Sequence, residues 1–112
     1  MIKKNILPLF LVVLLSGCGG IMGENDFSGK IDDIEQALRK PNWKQLNSLG
    51  KDLDRLYEQN LWKIQLMGDE DEYESLQESI NHLIVAIEEK DQTEIKLEIA
   101  TIKTYLKDIY SL

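Results

Sequence analysis

Cys18 is the residue of this 112-residue chain with the clearest chemistry open to it. It is the sole cysteine, so no intramolecular disulfide can form. A thiol becomes a nucleophile when it loses its proton, and its neighbours decide what it meets. Directly ahead of it stand Leu15, Ser16 and Gly17. Further back, Lys3 and Lys4 make a short positive segment, and Ile6 to Leu15 make an apolar run of ten residues interrupted only by Pro8. Charge, apolar run and small residues, in that order, are the layout of a secretory signal. The run falls short of the roughly 18 apolar residues that span a bilayer.

Leu15-Ser16-Gly17-Cys18 resembles the bacterial lipobox. The resemblance implies a diacylglyceryl thioether on Cys18, cleavage between Gly17 and Cys18, and acylation of the new amino terminus. The competing readings are a free or disulfide-bonded cysteine behind an ordinary signal, and a retained transmembrane anchor. A lone thiol is unusual in an exported protein, and lipidation removes the oddity. Buried acyl methylenes contribute about 0.8 kcal/mol each, so two or three chains anchor firmly where one does not. The expected location is the extracytoplasmic face of the cell membrane, with lipid on Cys18 as the attachment.

Other reactive groups are sparse. His82 is the only histidine and falls on the polar side of its helix, where it reads as a solvated surface residue. With no second histidine or available cysteine there is no zinc set. The acidic run from Asp69 to Glu74 fails as a calcium loop: such a loop needs glycine at its sixth position and glutamate at its twelfth, and these hold Glu74 and Ile80. Capping and solvation explain the run better than a metal. Ser48, Ser75 and Ser79 have no histidine arranged as a base, and no phosphate-cradling glycine loop is present. Neither an enzyme nor a cofactor is expected.

The net charge of −7 becomes −9 once Lys3 and Lys4 are removed with the signal. A domain this acidic is repelled by anionic membranes as a whole, so lipid must hold it there. Nucleic acid is not an expected partner, because that needs clustered lysine and arginine.

The elements follow from periodicity. The chain divides into a signal peptide over 1–17, the lipidated cysteine and a flexible tether over 18–27, and a helical domain over 28–112. Phe27, Ile31, Ile34 and Leu38 share one face of a first helix from about Ser28 to Lys40, stopped by Pro41. A second helix is capped by Asn42, with Gln45 as its capping-box partner, and runs to about Met67 before Gly68. Leu46, Leu49, Leu53, Leu56, Tyr57, Leu61 and Ile64 form its inward stripe. A third helix begins near Asp69 and ends near Lys90, with acids on the positive end of its dipole. A fourth starts at Asp91 and carries the seam Ile95, Ile99, Ile102, Leu106 and Ile109.

A shift of 49 residues superposes the halves. Ile31 meets Ile80, Leu38 meets Ile87, Asn42 meets Asp91, Gln45 meets Glu94 and Leu53 meets Ile102. Two such hairpins are too few for a solenoid, so the expected fold is an all-α four-helix bundle built from two similar helical hairpins.

The pattern Ala37-Leu38, Asn42-Trp43, Leu46, Leu49, Leu53, Trp62, Ile80, Leu83, Ile87, Asp91, Ile99 and Ile102 is similar to a family of small exported helical proteins of unknown function from Gram-positive endospore formers. The resemblance covers about Ile31 to Tyr110. It departs at Asn42, where an acidic residue is more usual before the first tryptophan; that touches capping. The family supplies no catalytic residues.

Trp62 does not fit the stripe. It lies about 160° from Ile64 around the helix, in line with Arg55, Gln59 and Leu66. Either the second helix is buried on two faces, or Trp62 anchors a partner, a role in which tryptophan is enriched. The chain therefore reads as a membrane-anchored lipoprotein with a non-enzymatic protein-interaction module facing another envelope or membrane protein. The second reading is a small-ligand or cation-binding envelope lipoprotein.

Overall fold

The computed structural model describes residues 23–111. Four α-helices and no strand occur among them: α1 (Glu24–Arg39), α2 (Trp43–Met67), α3 (Glu70–Glu88) and α4 (Gln92–Tyr110). Three short loops join them, so consecutive helices pack antiparallel and close an all-α four-helix bundle.

α1 starts a full turn before the expected Ser28, so Glu24–Phe27 are helical and not tether. The reason is Phe27, which is fully buried in the core and draws the chain ahead of it into register. Gly23 makes the start possible. Its φ of 83° is left-handed, and a Cβ there would lie 2.8 Å from Asn60 Oδ1. The first helical amide bond follows, from Phe27 N–H to the Gly23 carbonyl at 3.0 Å. At the other end Lys40 is extended before Pro41, as a residue preceding proline should be.

α2 is capped by Asn42, whose Oδ1 accepts the Gln45 amide at 3.1 Å. It ends at Met67, with Gly68 N–H donating to the Ile64 carbonyl at 2.9 Å. Leu46, Leu53, Tyr57 and Ile64 are buried, while Leu49, Leu56 and Leu61 flank the stripe and are only partly covered. Gly50 lets α3 come close: a Cβ at that position would meet Ile87 Cδ1 at 3.2 Å. The buried Tyr57 hydroxyl donates to the Tyr73 carbonyl at 2.8 Å, tying α2 to the first turn of α3.

α3 opens on a capping box between Asp69 and Glu72, with Asp69 N–H donating to Glu72 Oε1 at 2.9 Å. It stops at Glu88. Asp91 N–H donates to the Ala86 carbonyl and Lys90 N–H to the Ile87 carbonyl, both at 3.0 Å, which is a Schellman ending. Asp91 then turns its side chain to α4 and accepts the Glu94 amide at 3.1 Å. One residue thus ends α3 and begins α4.

Lys90 occupies the left-handed position of that ending, with φ 56°. A Cβ in this region is strained and glycine is not. Lys90→Gly is expected to raise the unfolding free energy by about 0.5–1 kcal/mol, seen as a higher urea midpoint with unchanged slope. A lower midpoint would mean the lysine side chain makes a contact worth more than the strain.

The halves repeat in space as in sequence. Asn42 and Asp91 are both N-caps accepting the amide three residues on. The correspondence extends to Phe27 and Leu76, both fully buried. Each hairpin also has a shallow cleft near its loop. One is lined by Asp33, Gln36, Ala37 and Gln45, the other by their counterparts His82, Val85, Ala86 and Glu94. The circle of helices is tightest between α3 and α4 and sparsest between α1 and α4.

Candidate functional site: the outer face of α2

With its stripe turned inward, α2 presents the opposite side to water. Trp62 is 62% exposed and Leu66 75%. Arg55 and Gln59 are exposed on the same line. The two-sided burial that would have explained Trp62 does not occur among the described residues. The Lys63 ammonium lies 5.5 Å from the Trp62 ring centroid, within cation–π range. Arg55 Nη1 donates to Asp52 Oδ1 at 3.2 Å, and Asp52 also pairs with Lys30 of α1 at 3.6 Å. All four residues singled out in the sequence are brought together on one surface.

A second surface lies along the sparse seam between α1 and α4. A cleft of about 370 Å³ is lined there by Ser28, Ile31, Asp32, Leu106, Lys107 and Tyr110. A second, of about 300 Å³, continues along Leu38 and Ile99. The ion pair of Lys103 Nζ with Glu35 Oε1, at 2.7 Å, bridges the seam. Burial and the acids Glu24 and Asp26 push the Tyr110 phenol up to about 12, so it stays a neutral hydroxyl at the end of this cleft.

The third feature was not foreseen. Glu98 of α4 has a side chain only 13% exposed, and its Oε2 is buried without a hydrogen-bond partner among the described residues. His82 is exposed on α3, as expected, yet its Nδ1 lies 3.8 Å from Glu98 Oε1 and its Nε2 lies 3.9 Å from Glu78 Oε1. Desolvation raises the Glu98 pKa against the opposing pull of His82, with Glu94 and Glu78 adding to the rise. The signal was in the spacing: Glu98 falls between Ile95 and Ile102, on their face, where the first hairpin has Leu49.

A carboxyl with a raised folded-state pKa contributes stability that is present below the unfolded value of about 4.5 and is lost as pH rises through the folded one. At neutral pH the ionised Glu98 therefore costs stability. Glu98→Gln is expected to be more stable than the native chain by about 1 kcal/mol at pH 7, with the gap closing as the pH falls toward 4. Urea melts at both pH values check this; a gap independent of pH would exclude ionisation as its cause.

No group of three or more histidine, cysteine or acidic side chains is placed to hold a metal among the described residues. No described helix is long and apolar enough to cross a membrane. Gly17, Cys18 and the signal segment lie outside the described residues.

The described residues thus define an all-α bundle of two hairpins whose largest exposed apolar residues include a Trp–Leu pair on α2. Residues 23–112 match the family described as "Domain of unknown function (DUF4363)", and the chain belongs to that family. The match begins at Gly23, one residue before α1. No curated protein and no solved structure matches the chain.

Proposed function

We propose that this chain is a lipid-anchored lipoprotein of the bacterial envelope whose helical domain works by contact with another envelope component and not by catalysis. The observation that supports it is the outer face of α2. Trp62 and Leu66 are exposed beside Arg55 and Gln59, with no helix among the described residues covering them. A clustered large apolar pair on an otherwise polar, acidic surface is the kind of feature that marks an interaction site. The lipid on Cys18 supplies the attachment and the face supplies the contact.

Trp62→Ala is expected to leave the thermal melt within about 1 kcal/mol of native, the loss being that of a surface residue and one cation–π contact. The same change should weaken capture of the contacted component by about 2 kcal/mol or more, read by crosslinking in native membranes. A stability loss of about 3–5 kcal/mol would return Trp62 to the core. An unchanged crosslinking pattern would mean that no protein is held at this face.

The α1–α4 cleft favours the second reading, a small-ligand-binding lipoprotein, since about 370 Å³ lies at the low end for such sites. Its rims carry both charge signs and its floor is Ile31 and Leu106, which suits an amphiphile better than a bare cation. A ligand that raises the melting temperature of the native chain, but not of Ile31→Lys, would support it.

A further inference from the structure

The exposed face of α2 is longer than its aromatic end. Lys44, Ser48, Lys51, Arg55, Gln59, Trp62 and Leu66 all fall within an arc of about 80° opposite Ile64, and all are exposed. The arc holds three cations and no acid, in a chain with 20 acids and net charge −7. Glu58 and Asp52 lie just outside its two edges. By contrast, α3 carries six acids and no lysine or arginine. Charge is thus segregated by helix face: one line of positive and apolar groups on an acidic body.

The place where the chain enters the bundle is level with the apolar end of this line. Gly23 packs on the Asn60 side chain, two residues from Trp62 along α2. From Cys18 to Gly23 is five residues, a reach of about 17 Å when extended. A helix with its side chains is about 10 Å across. A lipid on Cys18 can therefore lie in the same plane that the outer face of α2 would touch.

The geometry points to an anionic lipid surface as the occupant of this face: the anchored domain lies on its side, with Lys44, Lys51 and Arg55 toward the headgroups and Trp62 and Leu66 in the interface. This rests on the anchored reading above and names what the α2 face contacts. Tryptophan suits the boundary because its ring is apolar and its N–H is not. The Lys63 ammonium over the ring keeps a cation at headgroup level. α3 packs on the core side of α2, where a Cβ at Gly50 would meet Ile87 and Ile84. Its acids from Glu70 to Glu74 begin just past Met67, and Lys44 and Lys51 lie toward the opposite end of the α2 face. Lipid holds the protein at the membrane, and the α2 face decides which side is down. The α1–α4 cleft is then left facing away from the lipid.

The test uses the full chain, purified from cells that process it, in vesicles with brominated acyl chains. Trp43→Phe leaves Trp62 as the only tryptophan. Should that variant melt early, the native chain minus Trp62→Phe gives the same signal by difference. In phosphatidylglycerol vesicles Trp62 emission should shift to the blue and be quenched by bromine. The quenching should be much weaker in phosphatidylcholine, and should fall with salt and in K44Q/K51Q/R55Q, since each cation near an anionic surface strengthens attachment roughly fivefold. Trp62 unquenched in protein that floats with both kinds of vesicle would overturn the proposal. So would Trp62 exposed in vesicles but shielded in native membranes, which would hand the face to a protein. Failure of the anchor reads out separately: a Cys18→Ala chain that floats with phosphatidylcholine as the native one does would show that lipid on Cys18 is not the attachment, whatever Trp62 reports.

Discussion

An Ile102→Asp chain is expected to show no cooperative helical melt at room temperature. Ile102 is fully buried at the middle of α4, and its counterpart in the other hairpin, Leu53, is fully buried at the middle of α2. Removing the isoleucine side chain from a packed core costs about 2–5 kcal/mol. Placing a carboxylate there adds the cost of a charge with no partner, relieved only in part by protonation. A domain of this size is stable by roughly 5–15 kcal/mol, so the two terms together consume most of it. Leu97→Asp on the same helix is the control. Leu97 is 57% exposed, and the change should move stability by no more than about 0.5 kcal/mol. Circular-dichroism melts of the pair decide the matter: equal melts would mean that the α4 seam does not form the core.

Phe27→Ala is the second large effect, expected at about 3–5 kcal/mol. The ring is fully buried, and it is the residue that makes Glu24–Phe27 part of the domain. A chain shortened to begin at Ser28 should lose at least as much, because it also loses the contact of Gly23 with Asn60. Asn25→Ala, on the exposed side of the same turn, should be close to neutral. Urea midpoints of the three chains locate the domain boundary. A Phe27→Ala midpoint near native would put it back at Ser28.

Those two residues also show what sequence reasoning reached and what it missed. The Ile102 seam was legible because a 3.6-residue period needs only residue types, and because Asn42, Asp69 and Asp91 mark the helix starts by side-chain chemistry. The first turn of α1 was hidden because it falls in the stretch expected to be tether, 18–27, while Gly29 already lay inside the expected helix; a Cβ at Gly29 would meet nothing beyond its own helix. Gly23 does the actual turning, and its role depends on Asn60, which is 37 positions away and invisible to local pattern. The four residues of the α2 face were named from their angle alone. Whether another helix covered them was a question of packing, which periodicity does not encode. Glu98 was legible in principle, since it stands in line with Ile95 and Ile102, but a heptad reading passes over the position between them.

The uneven closure of the bundle has a mechanical consequence. α1 is held chiefly by α2 and only lightly by α4, and it is the first helix after the residues that lead to Cys18. Tension reaching the domain from that side enters at Gly23 and Phe27 and loads the α1–α2 interface before any other. α2, α3 and α4 share the two densest interfaces and the Tyr57–Tyr73 tie, so they would keep their shape while α1 peeled away. The fold is therefore graded along its own sequence: a first helix that yields under force, followed by three that resist it.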